Sequence, residues 1–117
     1  MKRSGFFWLS LAITLLSLGV VMLGAFVRLS DAGLGCPDWP GCYGSIQVPA
    51  TESDIELANA AFPQRPVDTA KAWKEMLHRY FAGTLGLAIL GLAVWAWRRR
   101  RVPGQQVVIP ILLSALV

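Results

Sequence analysis

Charge is what this sequence has least of for its length: Asp, Glu, Lys and Arg make up 15% of 117 residues, whereas 55% are hydrophobic. A soluble domain carries roughly 25% charged residues, so water is excluded as the solvent for most of the chain. Between positions 6 and 27 there is no charged residue at all. A hydrocarbon slab ~30 Å thick is crossed by ~20 apolar residues in helical form, and this run is long enough to do so with slight tilt. It also exceeds the roughly 7–15-residue apolar core of a secretory signal, and no small-residue cleavage site closely follows it.

A second apolar run extends from about Met76 to Trp97, broken only near its start by His78 and Arg79, with Trp73, Trp95 and Trp97 placed as interfacial anchors. The expected fold is therefore an all-α membrane protein. A transmembrane helix at 6–27 is joined by an extracytoplasmic loop at 28–72 to a second at 73–97, and a cytoplasmic loop follows at 98–106. Residues 107–117, with Pro110 inside them, are apolar but cover only about half the slab. They read as the start of a third transmembrane helix, and the sequence as the N-terminal piece of a larger membrane domain.

Acidic residues are missing from the outer flanks of this hairpin. Lys2 and Arg3 precede the first helix and Arg98, Arg99, Arg100 and Arg101 follow the second, while the loop between them holds Asp31, Asp38, Glu52, Asp54, Glu56 and Asp68 against Arg65 and Lys71. The positive-inside rule then puts the N-terminus in the cytoplasm and the loop outside. The formal net charge of +4 is concentrated on the cytoplasmic side, where four arginines abutting a membrane helix have a topogenic role and can meet anionic lipid. No nucleic-acid partner is needed to explain them.

Cysteine occurs twice, as Cys36 and Cys42, within a turn-forming stretch rich in glycine and proline. Outside the membrane a disulfide is the first reading, with two free thiols or a metal as alternatives. Zinc fits poorly, since two thiolates with no nearby histidine leave its tetrahedron half empty. The later part of the loop is polar, with a weakly helical patch around 52–61 closed by Pro63 and Pro66.

Histidine occurs once, as His78. Glu75 lies three positions before it, so the two share a helix face, about a turn inside the outer membrane surface. Steps of four from His78 meet Ala82 and Gly86, a strip without bulky side chains on which a flat macrocycle could lie. Ionisable residues in a span are costly and usually mark function, and neutral imidazole is a standard axial ligand of haem iron. The plainer reading is an interfacial Glu75–Arg79 ion pair at i, i+4, with His78 hydrogen-bonding across a helix interface. Arg28 and Arg79 could snorkel to lipid head groups or hold haem propionates.

The stretch Val27-Arg-Leu-Ser-Asp-Ala-Gly-Leu-Gly-Cys-Pro-Asp-Trp-Pro-Gly-Cys-Tyr-Gly resembles the first outer loop of the haem A synthase family, and Trp73-Lys-Glu-Met-Leu-His-Arg-Tyr resembles that family's second-helix motif. The resemblance implies an inner-membrane enzyme of eight transmembrane helices in two similar four-helix halves. Such an enzyme oxidises a methyl group of haem O to the formyl group of haem A for terminal oxidases. It further implies Glu75 as the catalytic acidic residue, His78 as a haem iron ligand, a Cys36–Cys42 disulfide, haem O as substrate and a haem b in the C-terminal half. Haem O synthase, terminal oxidase assembly factors and a second copy of the chain become candidate protein partners beside the lipid bilayer. With one histidine, these residues supply one axial ligand at most, so the piece alone is expected to be inactive. A membrane electron-transfer cytochrome b and a cofactor-free assembly hairpin are the competing readings.

Overall fold

The computed structural model describes residues 5–99; the expected third helix at 107–117, and with it Lys2, Arg3, Arg100 and Arg101, lies outside them. Three helices follow in order, α1 (Gly5–Leu29), α2 (Glu52–Ala61) and α3 (Thr69–Arg98). Among the described residues no strand forms, and pairing is limited to an isolated antiparallel bridge between Cys42 and Ser45. α1 and α3, of 25 and 30 residues, are both long and apolar enough to cross a membrane.

The ends of these helices follow from polar chemistry. α1 stops where the Ala32 N–H bonds the Val27 carbonyl at 3.0 Å and the Asp31 N–H bonds that of Arg28 at 3.2 Å, a Schellman cap. Its left-handed position is held by Asp31 at φ 53°, a residue type that tolerates this conformation better than most. α2 begins at Thr51, whose hydroxyl accepts the Asp54 N–H at 3.2 Å and donates to the Asp54 carboxylate at 2.6 Å. α3 starts at Thr69, before the apolar run does. The Asp68 carboxylate caps it by accepting the Lys71 N–H at 3.1 Å, so a polar turn precedes Trp73.

Two compact units make up the molecule, one of residues up to 20 and from 81 onward, the other Val21–Tyr80. In the first, Ile13, Ile89 and Leu92 are buried together, flanked by Phe6, Leu85, Ala88 and Trp95. Phe6 meets Trp95 edge to face at 5.7 Å, a favoured aromatic geometry. In the second, Cys36, Cys42, Tyr43, Val48, Ala58, Ala72 and Met76 form the core, with Phe62 and Val67 against it. This core joins the loop, α2 and the first turns of α3. Elsewhere both long helices expose apolar side chains, among them Leu15, Leu18, Val21 and Met22 on α1 and Leu87 on α3, as lipid-facing or partner-seeking surfaces do.

Candidate functional site

Every candidate residue read from the sequence falls in the unit Val21–Tyr80. The cysteine loop lies against α3. Gly35 makes the approach possible, because a Cβ there would stand 2.7 Å from the Lys71 carbonyl carbon and 2.8 Å from the Ala72 nitrogen. From that contact the chain follows α3 for about two turns, meeting Glu75 at Cys36, Arg79 at Asp38 and Gly41, and Tyr80 at Ile46.

Glu75 is the one buried charged residue among those described, 7% exposed. Both its oxygens are engaged. Oε2 accepts the Cys36 backbone N–H at 3.0 Å, and Oε1 accepts from Arg79 Nη2. Arg79 Nη1 in turn donates to the carbonyls of Asp38 at 2.7 Å and Gly41 at 2.6 Å. A buried carboxylate is tolerable only with such charge-assisted partners, since removing it from water otherwise costs several kcal/mol.

The loop is built to present those carbonyls. The Asp38 carboxylate accepts the N–H groups of Tyr43 at 2.6 Å and Gly44 at 2.8 Å, closing the turn from inside. The sulfurs of Cys36 and Cys42 stand 2.03 Å apart. Trp39–Pro40 is a cis peptide, and Tyr43 takes φ 53° before Gly44 at φ 78°. The buried Tyr43 ring meets Phe62 edge to face at 5.7 Å and its hydroxyl donates to the Pro66 carbonyl at 3.2 Å. Burial pushes that hydroxyl above its ordinary 10.0, which keeps it a neutral donor. Asp31 and Lys71 pair at 2.9 Å across the same junction.

His78 points elsewhere. Its ring packs on Gly24 of α1, where a Cβ would lie 2.8 Å from Cε1 and 3.2 Å from Nε2. Its Nδ1 is buried and has no hydrogen-bond partner among the described residues. A buried imidazole nitrogen without a partner is unusual and calls for a physical reason, of which a bound group is one. The residues thus fit one axial ligand of a haem. One turn above, Lys74 Nζ lies over the Phe26 ring at 5.6 Å with no carboxylate beside it among the described residues. Arg28 is exposed, without a side-chain partner there.

The structure brings Glu75, Arg79, Cys36 and Cys42 into one cluster and sets His78 apart from it, towards α1. The sequence reading missed Asp38, Gly24 and Gly35. Asp38 had a signal, an acidic residue inside a turn of prolines and glycines; the two glycines had none beyond their type. Two clefts on the loop, of about 400 and 580 Å³, are lined by none of the candidate residues. No cluster of three His, Cys, Asp or Glu side chains able to hold a bare metal ion exists among the described residues.

Two helices long and apolar enough to cross a membrane, with a loop clamped over a buried carboxylate and a lone imidazole one turn away, define the chain as a helical membrane protein with a polar site on α3. Residues 7–117 match the family described as cytochrome oxidase assembly protein, and the chain belongs to that family. It is similar to the heme A synthase of Shewanella oneidensis, 50% identical over 88 residues that are 75% of this chain and 26% of that protein. It is also similar to the heme A synthase of Bacillus licheniformis, 32% identical over 92 residues, 78% of this chain and 24% of that protein. That of Novosphingobium aromaticivorans is 26% identical over 110 residues, 82% and 31% respectively. The chain spans about a quarter of the length of the curated relatives it matches. No solved structure matches it.

Proposed function

We propose that this chain is the N-terminal part of a haem A synthase, which oxidises the methyl group of haem O to the formyl group of haem A. The observation that carries the reading is the buried Glu75 three residues before His78, whose Nδ1 is orphaned, on a helix of a chain 50% identical to a heme A synthase over 88 residues. The iron of the bound haem supplies the oxidative chemistry. His78, whose ring packs on Gly24, would hold that iron through its imidazole. Glu75 carries negative charge into a low-dielectric setting, where it can hold a proton or stabilise positive charge developing near the reacting methyl. Arg28 is the better propionate partner of the two arginines, because Arg79 is engaged by three acceptors. A Cys36–Cys42 disulfide keeps the loop in the shape that meets α3. The remaining helices of the eight-helix bundle, the second axial ligand and the haem b site are contributed by residues other than these, and the protein sits in the inner membrane with its cysteine loop extracytoplasmic. Haem O synthase, terminal oxidase assembly factors and a second copy are its candidate protein partners.

The test uses cells that make haem O but lack their own synthase, supplied with the complete gene, intact or with Glu75→Ala. Extracted haems are separated by chromatography. Haem A from the intact gene, lowered ~100-fold or more by the substitution, is the expected result. An inserted intact protein that binds haem but yields no haem A points instead to an electron-transfer cytochrome.

A further inference from the structure

We propose that Arg79 is the positioning residue of this site, and that through it the cysteine loop aims the Glu75 carboxylate. The inference deepens the haem A synthase reading and rests on it.

Glu75 has two neighbours that can hold it, the Cys36 N–H and the Arg79 guanidinium, and both are tied to the same loop. Among the described residues, Arg79 is the only side chain that bonds both the turn and Glu75: one nitrogen donates to the carbonyls of Asp38 and Gly41, the other to Glu75. Those carbonyls belong to the turn between Cys36 and Cys42, whose backbone the Asp38 carboxylate braces from within. A planar guanidinium with donors in fixed directions can satisfy three acceptors at once, whereas a lysine ammonium on a flexible stem reaches one or two. Remove the guanidinium, and two loop carbonyls and one carboxylate oxygen are left short of donors in a partly buried place. The carboxylate then either swings away or takes up water, and the loop lifts from α3. None of the hydrogen bonds of Arg79 involves His78, so haem binding through the imidazole is separable from the aim of Glu75.

The experiment again uses the complete gene in cells that make haem O and lack their own synthase, in five forms: intact, Glu75→Gln, Arg79→Gln, both together, and Arg79→Lys. Haem A formed, haem bound to the purified protein, and hydrogen exchange of the amides at 36–44 are measured. Arg79→Gln is expected to lower haem A about 10- to 100-fold with bound haem retained and loop exchange accelerated. The double variant is expected to be no worse than Glu75→Gln alone, because Arg79 acts through Glu75, and Arg79→Lys to recover part of the loss. Haem A at the intact level in Arg79→Gln, or a double variant in which the two losses multiply, overturns the proposal. Should Arg79→Gln fail to accumulate, Arg79→Lys decides: lowered haem A with haem retained supports the assignment, and full haem A with fast loop exchange overturns it. If the intact gene makes no haem A, the synthase reading falls by itself. Exchange at 36–44 then judges Arg79 alone, and unchanged exchange in Arg79→Gln refutes its hold on the loop.

Discussion

Gly24 and His78 make the sharpest single-residue contact of the site. A side chain at Gly24 must displace the imidazole, since even its Cβ would lie 2.8 Å from Cε1, and overpacking of this kind costs about 1–3 kcal/mol. Gly24→Val is therefore expected to reduce haem retained by the complete protein, read from its visible spectrum, whereas Gly19→Val, which meets nothing within 4 Å, leaves it unchanged. Equal retention in both would remove the notch from the account of His78. The Asp31–Lys71 pair gives a pH prediction of known sign. The Lys71 ammonium, hydrogen-bonded to Asp31, holds that carboxyl below 3.8, and Asp31 holds Lys71 above 10.5. The carboxylate's contribution is present above 3.8 and lost as pH falls through its lowered folded value. The ammonium's is present below 10.5 and lost as pH rises through its raised one. The stability difference between intact protein and Asp31→Asn should then be flat between about pH 5 and 9 and vanish in stronger acid. A thermal-unfolding series in which it varies steadily across neutral pH would contradict this.

Among elements, α2 is the most dispensable to the site and the most dependent on its cap. Only Ala58 of its ten residues is buried, and its start rests on the Thr51 hydroxyl. Thr51→Ala should cost about 1 kcal/mol and speed amide exchange in residues 52–61, leaving exchange at 36–44 slow and haem A formation intact. A parallel loss of haem A would show that α2 supports the cysteine loop more closely than its burial suggests. On α3 the division of labour follows from helical geometry. Residues three apart are offset by about 60° around the axis. Glu75 and His78 stand close enough to read as one face in the sequence, yet far enough apart for one to meet the loop and the other α1. Arg79, four on from Glu75, stays with it.

At the scale of the molecule, the arginines that follow α3 and the acidic loop predict an orientation that can be measured. A reporter enzyme active only outside the cytoplasm, fused after Pro49, should be active, and fused after Arg98, inactive; the reverse pattern would invert the assigned topology. In the expected orientation the cysteine pair and Glu75 would stand at the outer ends of the two long helices.

Long apolar runs determined both membrane helices, because hydrophobic length against slab thickness is a local property that needs no partner. Polar interruption within such a run was enough to single out Glu75, His78 and Arg79, since a charge there is too costly to be incidental. The patch at 52–61 was legible for a similar reason, its breakers being prolines nearby in the chain. Only tertiary structure decided that Arg79 serves the loop, that His78 leans on Gly24, and that Gly35 lets the loop reach the α3 backbone. Those contacts join residues 38 or more positions apart for Arg79 and residues of two different helices, α1 and α3, for His78. Their energies depend on directions of approach that no spacing in the chain encodes.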